Sequence, residues 1–152
     1  MKAWVVYDSV FGNTEKVAQA MGEALGAQTL RVGDVKPEHV VGLDVLVVGS
    51  PTRAFSPTPA IKRWVSGLPS KSLQGVKVGA FDTRIALEDV DSALLTFMAK
   101  IFGYAAKPIG DRLVKKGGDR VLSLEGFYVQ DSEGPLKDGE LERAADWVRE
   151  IL

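Results

Sequence analysis

One stretch near the start of the chain limits what it can fold into: Trp4-Val5-Val6-Tyr7-Asp8-Ser9-Val10-Phe11-Gly12-Asn13-Thr14-Glu15-Lys16-Val17-Ala18. Its β-branched and aromatic opening reads as a buried strand. Its end reads as a helix with Val17, Ala18, Met21 and Leu25 on one face. Between them, Ser9 to Thr14 is a short run of small and hydroxyl residues around Gly12. The first N–H groups of a helix have no intrahelical partner. In a strand–turn–helix unit they face whatever lies beyond the carboxyl end of the strand. A phosphate placed there gains several hydrogen bonds and the positive end of the helix dipole, and Ser9, Asn13 and Thr14 add side-chain donors. The plainer alternative is an ordinary turn in which Asn13 or Thr14 caps the helix.

Strand-like and helix-like segments alternate along the rest of the chain. Gln28 to Val32 reads as a second strand, and Asp34 to Val41, with Pro37, as a loop or short helix. Val45-Leu46-Val47-Val48 is a third strand, followed by Gly49-Ser50-Pro51-Thr52. Thr58-Pro59 opens a helix, as N-cap and first helical residue, with Ile61, Trp64, Val65 and Leu68 on its apolar face. Val76 to Phe81 is a fourth strand ending at Asp82-Thr83-Arg84. Val90, Leu94, Leu95, Met98, Ile101 and Phe102 form a helical stripe that stops at Gly103, and a further helix runs from about Lys107 to Lys116. Val121 to Val129 contains a fifth strand, and the last helix carries Leu141, Ala144, Ala145, Val148 and Ile151 on one side. Five strands alternating with helices predict an α/β fold, a parallel sheet covered on both faces. In such a sheet the loops Ser9–Thr14, Ser50–Thr58 and Asp82–Ala86 gather at one edge.

Composition narrows the function. A chain of 152 residues is expected to form a single domain, residues 1–152. A formal net charge of −1 gives no electrostatic case for nucleic acid or an anionic membrane as the main partner. The absence of cysteine excludes disulfides, thiol catalysis and thiolate metal sites, and the lone His39 excludes a histidine-rich metal site. No apolar run approaches the ~18 residues of a membrane span, so the expectation is a cytoplasmic protein that uses no metal.

The first loop resembles the phosphate-binding loop of flavodoxins, Ser/Thr-x-Thr-Gly-x-Thr, in Ser9, Gly12 and Thr14, with Phe11 in place of the middle Thr. Val47-Val48-Gly49-Ser50-Pro51-Thr52 and the stretch from Glu125 to Ala144 resemble the family's third strand with its flavin loop, and its last strand and helix. The resemblance implies a flavodoxin-like three-layer sandwich, with a five-stranded parallel sheet of order 2-1-3-4-5 and helices on both faces. It implies FMN as cofactor, held by Ser9, Val10, Phe11, Gly12, Asn13 and Thr14 in the first loop. Ser50, Pro51, Thr52, Arg53, Ala54 and Phe55 in the second, and Asp82, Thr83 and Arg84 in the third, complete the expected site. Phe55 is the aromatic expected against the flavin ring, and Asp82 to Arg84 are expected along its pyrimidine edge. The second aromatic usual in the family's fourth loop is missing, with Phe102 or Tyr104 as possible substitutes. Ala86 to Gly103 looks like an extra helix to which the sequence assigns no role.

Arg53 and Arg84 put positive charge where acidic flavodoxins keep negative charge, which predicts a raised flavin reduction potential. The implied function is electron transfer as a carrier without a catalytic side chain, toward a redox partner protein or a small-molecule electron acceptor. Two other readings stay open. One is a quinone- or porphyrinogen-type flavin oxidoreductase on the same fold, and the other a binding module without cofactor, which Phe11 and the missing aromatic would suit. Neither a P-loop Gly-Lys-Ser/Thr nor a dinucleotide Gly-x-Gly-x-x-Gly is present.

Overall fold

The computed structural model describes residues 1–90 and 92–152. Asp91, at the head of the expected extra helix, lies outside the described residues. The sheet consists of β1 (Ala3–Tyr7), β2 (Gln28–Arg31), β3 (Val45–Pro51), β4 (Lys77–Ile85), β5 (Asp119–Arg120) and β6 (Glu125–Val129). All of its pairings are parallel. Five helices surround it: α1 (Asn13–Leu25), α2 (Pro59–Ser66), α3 (Ala93–Phe102), α4 (Ala106–Lys115) and α5 (Glu140–Arg149).

The strand order is β2-β1-β3-β4-β5, with β6 also on the outer side of β4. This is the 2-1-3-4-5 arrangement with one correction to the expected five strands. The fifth position is shared by two strands in tandem: β5 pairs with Lys77 and Val78, and β6 pairs with Phe81 to Ile85. The chain leaves the ladder between them because other groups claim it there. The Trp147 indole N–H donates to the Ser123 carbonyl at 3.1 Å, and Leu122 is buried against the α1/α5 face.

Alternation along the central strands sends side chains to two cores. Val5, Val47, Phe81 and Phe127 meet Val17, Met21, Trp147 and Val148 of α1 and α5 on one face. Val6, Val48, Val78 and Ala80 meet Ile61, Trp64, Ile109 and Leu113 of α2 and α4 on the other. Trp4, Trp64 and Trp147 are all core residues, and His39 is on the surface. Thr58 caps α2 from the side chain to the Ile61 amide, with Pro59 as first helical residue. The two short helical turns Val32–Asp34 and Pro37–Val40 account for the ambiguous stretch after β2.

Helix α3 departs from its sequence pattern. Its apolar stripe does not face the core: Leu94, Leu95, Ile101 and Phe102 are exposed, as is Phe97, and Ala99 is its buried residue. The helix is apolar nearly all round, so periodicity could not indicate which side packs. Among the described residues no helix is long and apolar enough to cross a membrane.

At the carboxyl end of β3 the absence of a side chain is a packing requirement. A Cβ on Gly49 would collide with the fully buried Phe81 ring on β4. Gly49→Ala is expected to cost about 1–3 kcal/mol through overpacking, read as a lower urea midpoint. An unchanged midpoint would mean that the ring can move aside.

Candidate functional site

The carboxyl ends of β1, β3 and β4 open into a cleft of about 310 Å³. It is lined by Ser9, Val10, Phe11, Asn13 and Thr14 of the first loop, and by Pro51, Thr52, Arg53 and Ala54 of the second. Thr83, Arg84 and Ile85 line it from β4, with Val129 and Ser132 from the end of β6. The three loops expected to converge do so. Ile85, within the expected Asp82–Ala86 stretch, joins the lining, and Val129 and Ser132 are additions that depend on which strand lies beside β4.

Gly12 is the N-cap of α1, at φ 95°, a left-handed conformation suited to glycine. The N-cap is a glycine and makes no side-chain cap, so neither Asn13 nor Thr14 plays the capping part of the plainer alternative. They are the first two helical residues, where amides lack intrahelical partners. Ser9 Oγ accepts from the Gly12 amide at 3.1 Å and from the Glu15 amide at 3.4 Å, which folds the loop around one hydroxyl. Asn13 Nδ2 donates to the Glu133 carbonyl at 3.1 Å, tying the loop to the segment after β6. Thr14 and Thr83 hydroxyls lie 2.8 Å apart, both buried. Thr83 thus links the first loop to β4, while also reaching the cleft. Phe11 stands half-exposed at the rim, with the Arg53 guanidinium 5.6 Å from its ring centre, and does not fill the cleft.

The second loop is a tight hairpin. Arg53 and Ser56 exchange both backbone hydrogen bonds, at 2.7 and 3.0 Å. Ala54 and Phe55 between them both have positive φ, 49° and 66°. Two-residue hairpins favour this twist but normally use Asn or Gly there, and each non-glycine residue costs about 1 kcal/mol or more. The turn carries Phe55 outward. Its ring packs 6.0 Å from that of Phe102, outside the cleft, in a neighbouring hollow with Met98 and Pro108. Phe55 is therefore not the cleft's aromatic wall in this structure. Ser50 is fully buried, accepts the Thr58 amide at 3.0 Å and organises the loop from beneath. Gly12, Ser50, Phe55 and Asp82 lie outside the cleft lining.

Asp82 is buried, and its carboxylate takes two 2.6 Å hydrogen bonds from Arg84 and one of 2.9 Å from the Ala106 amide at the start of α4. Burial pushes this carboxyl above the usual carboxylate range, against the downward pull of Arg84 and the Ala106 amide. The Arg84 guanidinium lies over Gly126, where any Cβ would strike it, and 3.7 Å from the centre of the Tyr104 ring. Tyr104 packs on Arg84, and neither it nor Phe102 is among the residues that line the cleft. Thr52 Oγ1 accepts the Ala105 amide at 3.2 Å, so two loops together receive the start of α4. Arg84 brings no free charge to the cleft, because Asp82 neutralises it. Arg53 has no carboxylate partner among the described residues.

A parallel sheet of order 2-1-3-4-5, with a cleft at the carboxyl ends of its first, third and fourth strands, defines the flavodoxin-like fold. Solved structures agree. Flavodoxin 2 from Bacillus cereus superposes with a TM-score of 0.79 at 18% identity, covering 99% of this chain and 97% of that one. A flavodoxin from the domain Archaea gives 0.77 at 22% identity, covering 99% and 96%. No family model matches the sequence. An uncharacterized protein of Methanocaldococcus jannaschii is 29% identical over an alignment 148 positions long that covers 80% of this chain. The chain spans 37% of the length of that relative.

The buried Asp82–Arg84 pair makes a direct stability prediction. Arg84→Met strands an unpaired buried carboxylate and is expected to cost about 3–5 kcal/mol. Adding Asp82→Asn to that variant is expected to restore part of the loss in a urea double-mutant cycle. Simple additivity would show that the pair is not energetically coupled.

Proposed function

We propose that the chain binds FMN in this cleft and serves as an electron-transfer flavoprotein toward a redox partner protein. One observation carries the reading: α1 starts at the edge of a cleft at the switch point of the sheet, with the left-handed Gly12 as its N-cap and its first two residues, Asn13 and Thr14, lining that cleft. The residues present fit the group. The phosphate would be held by the main-chain amides of Val10, Phe11, Asn13 and Thr14 and by the hydroxyl hydrogen of Ser9, whose oxygen already accepts the Gly12 and Glu15 amides. A cleft of about 310 Å³ is at the lower end of the usual range for small-molecule sites.

Bound flavin would supply the redox chemistry, and the protein its position and electrostatics. Thr52, Ala54, Ile85 and Val129 border the volume that the ring system would enter, and their burial by the ring would exclude water from one side. Arg53 provides the positive charge that favours a more electron-rich ring. Arg84 acts instead as a fixed wall, pinned by Asp82, Gly126 and Tyr104. The solved flavodoxins of the same fold support this reading by analogy of architecture.

One observation favours a second reading, a flavin oxidoreductase acting on a small aromatic acceptor. A hollow of about 500 Å³ lined by Phe55, Met98, Phe102 and Pro108 shares Ala54 with the cleft. Turnover of a quinone with NAD(P)H separates this enzyme from a carrier.

Protein mixed with FMN and passed through a desalting column is expected to keep the flavin absorption bands, whereas colourless protein would refute the cofactor assignment. In the loaded protein, Arg53→Ala is expected to lower the two-electron potential on the order of tens of millivolts. A potential that stays constant in a redox titration would remove the charge argument.

A further inference from the structure

We propose that Arg31, at the end of β2, is a positioning residue that sets the first loop to receive a phosphate monoester; this rests on the FMN reading and deepens it. Arg31 lies outside the cleft lining, opposite Tyr7 in the β1–β2 register. Its guanidinium spans the base of the loop. Nη1 donates to the Ser9 carbonyl at 3.2 Å and to Asp8 Oδ1 at 3.4 Å, and Nη2 donates to Glu15 Oε2 at 3.0 Å. Its Cζ lies 5.3 Å from the centre of the Tyr7 ring, and the Tyr7 hydroxyl donates to the same Glu15 oxygen at 3.1 Å. Asp8 Oδ1 also accepts the Ser9 amide at 2.9 Å.

Two consequences follow from this geometry. The peptide between Ser9 and Val10 is planar and trans, so its C=O and N–H point in opposite directions. Arg31 draws the Ser9 carbonyl to one side, and the Val10 amide is thereby turned to the other. Val10 is a cleft residue, and Arg31 is not. The second consequence is electrostatic. Asp8 and Glu15 place two carboxylates beside a site meant for a dianion, and like charges this close disfavour binding. Arg31 sits between the two and offsets part of that repulsion. A neutral residue of similar length would free the Ser9 peptide to rotate and expose both carboxylates to the phosphate.

The sequence pattern alone did not single out Arg31. It sits in a strand that contributes no residue to the cleft, and its role depends on β2 lying beside β1 in a fixed register.

The phosphate separates a positioning role from a structural one. Fluorescence titration of the protein with FMN and with riboflavin, which has the same ring and lacks the phosphate, reads the two contributions apart. Arg31→Met is expected to weaken FMN by about 10-fold or more, the loss of one charge-assisted hydrogen bond, while riboflavin changes by less than about 2-fold. Arg31→Lys, which keeps the charge but cannot bridge Ser9 and Glu15 together, is expected to fall between wild type and Arg31→Met for FMN. Thermal unfolding of each variant verifies that it is folded. Wild-type protein that binds FMN, with Arg31→Met binding it equally well, would overturn the role of Arg31 and leave the FMN reading intact. Equal losses for FMN and riboflavin would likewise overturn it. Wild-type protein that binds neither flavin would overturn the FMN reading and this inference with it.

Discussion

Everything at the site depends on a helix start whose first two amides, Asn13 and Thr14, take no hydrogen-bond partner among the described residues. Burying or pairing the first amides of α1 internally would have been the ordinary solution, because unpaired backbone donors are costly away from water. The chain instead turns at Gly12 and leaves the first two residues of the helix at the cleft, with Ser9 Oγ taking the Gly12 amide before them and the Glu15 amide after them. The remaining structure holds that end in place. The α1 face is buried against β1 and β3 through Val17, Ala18 and Met21, so the helix cannot shift without opening the core.

The loops around the cleft are coupled by a small set of side-chain bonds. Thr14 meets Thr83, Asn13 meets the Glu133 carbonyl, and Thr52 receives the Ala105 amide. Asp82 binds Arg84 and the Ala106 amide together, and Tyr104 covers the guanidinium. These bonds cross between elements far apart in sequence and converge on the ends of the same strands. A buried pair such as Asp82–Arg84 contributes little net stability against an apolar alternative. It does specify where β4, β6 and α4 end relative to one another.

How much of this was legible in the sequence depends on whether the signal was local. The strand–turn–helix unit, Thr58 and Pro59 at the start of α2, and the core tryptophans were readable because each is decided within one turn or one strand face. Tandem β5 and β6 were not, since the break comes from Trp147 reaching across to Ser123. The direction of Phe55 is not legible, because residue type says nothing about its positive φ, and that backbone choice carries the ring toward Phe102. The partner of Arg84 is legible: residues two apart on a strand share a face, and Asp82 stands two before it. Val129, Ser132 and Arg31 depend on strand order and register, which hydrophobic period alone does not determine.

A phosphate cradle depends on the direction and occupancy of a few amides, and an amide spectrum reads them one by one. In ¹H–¹⁵N correlation spectra, saturating FMN is expected to move the Val10, Gly12, Asn13 and Thr14 resonances far more than saturating riboflavin does. Loop resonances that stay in place under FMN, or that move equally with riboflavin, would contradict a phosphate cradle at the start of α1.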